Sequence, residues 1–102
     1  MKYQLVVQLP EEIFGDLDKI IEMEDKLLEN LLNAELDGHD AGSGEVNLFI
    51  HTNNPIDTFE LIKNIFIYDE EILRNAKVAY RDLTGEEYTL LWPEGLKKFN
   101  II

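Results

Sequence analysis

AELDGHDAGSGEVNLFIHT, residues 34–52, is two runs of alternating residues, 34–40 and 45–52, joined by AGSG. Period-two alternation marks half-buried strands, and glycines between them supply the positive backbone angles a hairpin loop requires. In the second run Val46, Leu48 and Ile50 face one way, and Asn47, Phe49 and His51 the other. The stretch also holds both histidines of the chain and its only serine. It is therefore at once the turning point of the fold and the place to look for chemistry.

Working outward, YQLVVQL (3–9) alternates in the same manner, with Tyr3, Leu5, Val7 and Leu9 on one face and Gln4, Val6 and Gln8 on the other. Pro10 ends it. From Glu11 to Asn33 the apolar residues Ile13, Leu17, Ile20, Ile21, Leu28, Leu31 and Leu32 fall near a 3.6-residue period, which predicts an amphipathic helix burying that stripe. Gly15 and Asp16 mark an irregular first turn, Asp16 being a candidate N-cap. After the hairpin, Asn54, Pro55 and Asp57 form a helix-start signal, and Phe59, Ile62, Ile65 and Phe66 a buried stripe. YDEEILRN (68–75) reads as a last turn or a loop. KVAYRDL (77–83) and EYTLLW (87–92) are two more strands, and placing Val78 and Tyr80 on one face with Tyr88, Leu90 and Trp92 requires a bulge at Gly85. The tail EGLKKFNII carries Phe99, Ile101 and Ile102, which are expected to dock on an apolar surface.

The order strand, helix, strand, strand, helix, strand, strand predicts an α+β chain with a ferredoxin-like split β-α-β sheet. The sheet would be antiparallel, with two helices on one face. The first and third strands would be central and the fifth would extend the edge beside the fourth. With 102 residues the expectation is one domain, 1–102.

The balance of 21 acidic against 9 basic residues gives a net charge of −12. Phosphate recognition needs a basic footprint, so the expectation is no nucleic-acid partner. Anionic membranes are disfavoured for the same reason, and no stretch approaches the ~18–20 apolar residues that span a bilayer. A basic protein partner would be drawn in, although such charge also serves plain solubility. The chain has no cysteine, which excludes disulfides, thiolate metal sites and cysteine nucleophiles. The start, MKYQLVVQLPEE, lacks the apolar core of a signal peptide. A cytoplasmic location is expected.

If Leu36, Leu48 and Ile50 look toward the helices, alternation sends Asp37, His39, Glu45, Asn47, Phe49 and His51 to the open face of the sheet. Pairing Leu36 with Leu48 would put Asp37 opposite Asn47 and His39 opposite Glu45. These six residues are the candidate binding face. Imidazole and carboxylate together suit a metal ion, yet upright side chains on one sheet face converge poorly around one, and no metal or other cofactor is expected. Ser43, His39 and Asp40 contain the elements of a nucleophilic triad, but a serine between glycines is more often turn chemistry. His39 oriented by Asp37 or Glu45 is the best acid–base candidate. Phe49 and Val6 form an apolar spot on the open face, to be covered by the tail, a second copy or a partner.

DGHDAGSGEVNLFIHTNNP, followed by Phe59 and by VAYRDLTGEEYTLLWP, resembles a family of small, uncharacterised bacterial proteins over nearly the whole chain. That resemblance implies no activity. The function expected is a non-enzymatic acidic protein-interaction module, an immunity-type inhibitor of a basic toxin being one version. The alternatives are a regulatory domain holding a small ligand on the open sheet face or at a homodimer interface, and a small dimeric enzyme using His39 or His51.

Overall fold

The computed structural model describes residues 1–95. The tail with Phe99, Ile101 and Ile102 lies outside the described residues, and so does the expectation that it docks. The chain is α+β, with five strands and four helices among the described residues. These are β1 (Tyr3–Pro10), α1 (Glu11–Phe14), α2 (Leu17–Asn30), β2 (Ala34–Gly42), β3 (Glu45–Thr52), α3 (Pro55–Ile65), α4 (Glu70–Asn75), β4 (Lys77–Asp82) and β5 (Thr89–Trp92). The strands form one antiparallel sheet in the order β2-β3-β1-β4-β5. Two helices were expected. The extra pair arises because Gly15 and Asp16 divide the first helical run, and because EEILRN completes a short helix of its own.

The helix starts follow their local chemistry. Asp16 Oδ1 accepts from the N–H of Asp18 at 2.8 Å, and Asn54 Oδ1 from the N–H of Asp57 at 3.1 Å, with Pro55 in the first turn of α3. Each cap satisfies a donor that the helix itself leaves open. Behind the second cap, the hydroxyls of Thr52 and Thr58 meet at 2.7 Å in a buried pair that ties β3 to α3.

The core lies between the helices and one face of the sheet. Leu5, Val7 and Leu9 from β1, Val46, Leu48 and Ile50 from β3, and Val78 from β4 meet Ile20, Met23, Leu27, Phe59, Ile62 and Ile72 from the helices and Phe66 just past the end of α3. On α2 the buried stripe is Ile20, Met23 and Leu27, while Leu17, Ile21 and Leu28, all expected in the core, are exposed. The two sets are offset: Ile21 follows Ile20 and Leu28 follows Leu27, and one residue is about 100° round a helix. The apolar arc of α2 is thus wider than the arc the sheet covers.

Two strand details depart from strict alternation. The hairpin turn is only Ser43 and Gly44, with φ of 53° and 88°, the pair of positive angles that a two-residue hairpin turn demands. The turn is held to α1 by the N–H of Glu11 on the Gly44 carbonyl, 2.9 Å. In the last hairpin the irregularity falls between Val78 and Ala79, not at Gly85. Trp92 therefore lies opposite Val78 and packs against the core, whereas Leu90 lies opposite Ala79, on the other face. The Trp92 indole N–H donates to the Leu73 carbonyl at 2.9 Å.

Candidate functional site

The second hairpin positions the predicted face, and its register is where the structure departs most from the sequence expectation. Leu36 pairs with Ile50, not Leu48; Gly38 then pairs with Phe49, and His39 with Leu48. Asp37 is the extra residue of a β-bulge, and Gly38 beside it has φ of 110°, a backbone that glycine adopts without strain. One extra residue reverses the alternation beyond it. His39 is therefore on the helix side of the sheet, and Asp40, paired with Asn47, takes its place on the open side.

The consequence for chemistry is direct. His39 Nδ1 lies 3.1 Å from Glu24 Oε2 on α2, so the expected pair with Glu45 is replaced by a clasp between the edge strand and the helix above it. Glu24 lies in the same helical row as Leu17, Ile21 and Leu28 and is partly buried, but only the register of β2 brings the two together. The Ser43, His39 and Asp40 triad is dismantled, since His39 and Asp40 are on opposite faces and Ser43 sits in the turn. Asp37, His39, Glu45 and His51, the imidazoles and carboxylates of the expected binding face, are divided in the same way. Among the described residues no group of three or more histidine, aspartate or glutamate side chains is arranged to hold a metal ion.

On the open face the remaining candidates form short polar links. His51 Nε2 is 3.4 Å from Asp37 Oδ2. Gln8 Nε2 donates to Asn47 Oδ1 at 3.0 Å, and Asn47 Nδ2 donates to Asp40 Oδ1 at 2.9 Å, with Gln8 and Asn47 both buried. Further across the sheet Arg81 Nε donates to Gln4 Oε1 at 3.2 Å. Glu45 is partly buried at the start of β3, beside the turn. Val6, flanked in the sheet by Phe49 and Ala79, is fully buried and Phe49 half-buried, so the expected Val6–Phe49 spot is not an open patch. Gln4, Gln8, Asp37, Asp40, Asn47 and His51 thus each have a polar partner on this face. The face can orient an imidazole through Asp37, but His51 is the one titratable group there that such a geometry would serve.

The unusual surface is elsewhere, along α2 and the outer strand β2. Leu17, Ile21 and Leu28 are 59%, 43% and 64% exposed, which is far from the norm for leucine and isoleucine. Beside them a groove of about 360 Å³ is lined by Leu28, Leu31, Ala34, Glu35 and Leu36. A second cavity, of about 350 Å³, lies between α2 and α4, where Lys19, Glu22, Asp69 and Glu70 ring Phe14, Met23 and Ile72. The signal for the exposed stripe was present in the sequence: α2 carries apolar residues on more of its circumference than one sheet face can bury.

No protein-family model matches this chain, and no curated protein matches it. Among solved structures, the de novo designed protein Foldit4 is similar over 82% of this chain and 96% of its own, at 14% identity and a TM-score of 0.46. A likeness that weak bears on neither fold nor function. No helix among the described residues is long and apolar enough to cross a membrane.

Proposed function

We propose that this chain is a non-enzymatic, acidic, cytoplasmic protein-interaction module. The observation that carries the reading is the row of exposed leucine and isoleucine on α2, set among acids: exposed apolar residues grouped on one side of a small domain mark contact surfaces more often than catalytic ones. A net charge of −12 adds a partner preference, because it raises the encounter rate with basic proteins and repels nucleic acid and anionic lipid. An immunity-type inhibitor facing a basic toxin is one protein of this kind. The architecture we assign is ferredoxin-like with an added edge strand. What supports it is the order β2-β3-β1-β4 within the sheet, each long connection passing over a neighbouring strand by way of helices. Membership of the small bacterial family that the hairpin sequence resembles is part of the same proposal.

The test is selection of a random peptide library on the immobilised full chain at low salt, with counter-selection on an unrelated protein of equal charge. Enrichment of peptides rich in basic and apolar residues, lost at high salt, supports the reading; no enrichment sinks it. A second reading, a small polar ligand on the open sheet face or at a homodimer interface, is favoured by the Gln8–Asn47–Asp40 chain, which buries amide groups in the middle of a sheet. It predicts a thermal shift with amino acids, nucleotides or metal ions that Asn47→Ala abolishes.

A further inference from the structure

The exposed stripe and the outer strand belong to one surface. Leu28 lines the same groove as Leu36, and Glu24, one turn earlier, reaches His39, so the second half of α2 runs antiparallel beside β2. β2 is the outermost strand on this side of the sheet. Its far edge offers backbone N–H and C=O groups to an incoming strand. The two elements together carry eight acids, Asp18, Glu22, Glu24, Asp25, Glu29, Glu35, Asp37 and Asp40, against Lys19 and Lys26. Half of the chain's net charge is concentrated here.

An added strand would point alternate residues to the two sides of the sheet. On the helix side it would meet Leu28, Ile21 and Leu36; on the open side, Glu35 and Asp37. We infer that the outer edge of β2 takes an extended segment of a partner protein in which apolar and basic residues alternate. The apolar residues seat against α2 and the basic residues face Glu35 and Asp37. This rests on the interaction-module reading and supplies the chemistry of its partner. Leu17 and Leu28 are eleven residues apart, about 16 Å of helix, which matches about five residues of strand. A second copy of this chain does not fit the same edge, because it would set one row of acids against another.

The experiment is a titration of the isotope-labelled full chain, followed by NMR at low salt, with two capped octapeptides. One alternates valine and lysine; the other has the same composition in two blocks. The expected result is saturable binding of the alternating peptide, with amide shifts concentrated in residues 34–41 and along α2. The block peptide binds at least tenfold more weakly, as does the alternating peptide to Leu28→Asp and, separately, to Glu35→Lys. Both substituted sites are solvent-exposed, so each variant keeps its fold, which its own spectrum verifies. Shifts centred on Gln4, Gln8 and Phe49 would overturn the edge and leave the interaction reading standing. Equal binding of the two peptides would overturn the alternation. Absence of binding, or a concentration-dependent dimer already present at low salt that Leu28→Asp disperses, would overturn the proposal, while the library selection judges the broader reading independently.

Discussion

Two glycines four residues apart in β2 separate backbone strain from every other effect of adding a methyl group. A Cβ placed on Gly38 or on Gly42 meets no heavy atom within 4 Å, but Gly38 has φ of 110° and Gly42 lies outside the left-handed range. Gly38→Ala should therefore carry, beyond what any glycine-to-alanine change does, the strain of holding an L-residue there, about 1–3 kcal/mol. Gly42→Ala should stabilise by about 0.4–1 kcal/mol, because it removes freedom from the unfolded chain alone. Because both substitutions remove that freedom, the two variants should differ by the strain alone, about 1–3 kcal/mol in urea unfolding at unchanged slope. In thermal melts Gly38→Ala should fall by roughly 5–20 °C. If Gly38→Ala proves as stable as Gly42→Ala, the bulge is not held by its backbone angle, and the account of why His39 turns toward Glu24 fails with it.

Deleting Asp37, the extra residue of the bulge, should leave a regular strand in which Leu36 and His39 keep the faces they have now. The variant should fold and keep the His39–Glu24 contact while losing Asp37–His51, which histidine ring NMR shifts can read; loss of the fold would show that the bulge is obligatory. On α2, Leu27→Ala should cost about 2–5 kcal/mol, since Leu27 is fully buried, whereas Leu28→Ala should stay within about 0.5 kcal/mol by denaturant titration; similar costs would refute the assignment of the exposed stripe. Asp82 is held below the ordinary carboxylate value by the hydroxyl and N–H of Thr84, both donating to Oδ1. Because its folded pKa is depressed, its contribution is present above the unfolded value and is lost as pH falls through the folded one. Thr84→Ala should raise that pKa in a carbon-13 titration and narrow the stability gap to wild type at acid pH, and an unmoved titration would exclude the hydroxyl as the cause.

Apart from the short helix Glu70–Asn75, whose residues read as a turn or loop, local patterns are a sufficient guide. Strand 3–9, the Asn54–Pro55 helix start and the Phe59, Ile62, Phe66 stripe are all found where the periodicity puts them, because neighbouring residues alone determine them. The errors share a different origin. A bulge is one uncompensated residue, and nothing in LDGHD distinguishes a strand that alternates throughout from one that resets at Gly38; only the pairing with Phe49 and Leu48 decides it. The same is true of Leu90, displaced by the irregularity between Val78 and Ala79. For α2 the period determines the helix but not the face it buries. A helix apolar over a wide arc can present either part of it to the sheet, and the choice of Ile20, Met23 and Leu27 is made by β1 and β3. His39 and Glu24 then follow from both corrections at once.

An open sheet edge beside exposed leucines is a template for self-association, and charged side chains and bulges are the usual means of blunting it. Glu35, Asp37, Asp40 and the bulge on β2 do this for a second copy of the chain, yet the same three acids invite a basic strand. The two effects respond oppositely to salt. Raising ionic strength from about 50 to 500 mM shortens the screening length from roughly 14 to 4 Å, which weakens the attraction for lysine and relieves the repulsion between copies while leaving the apolar contact in place. The alternating valine–lysine peptide should therefore bind more weakly at high salt, and sedimentation equilibrium should show more self-association, with Leu28→Asp suppressing both. If binding and self-association fell together as salt rose, the acids would be joining the copies and not separating them, and the assignment of this edge to a basic partner would be wrong.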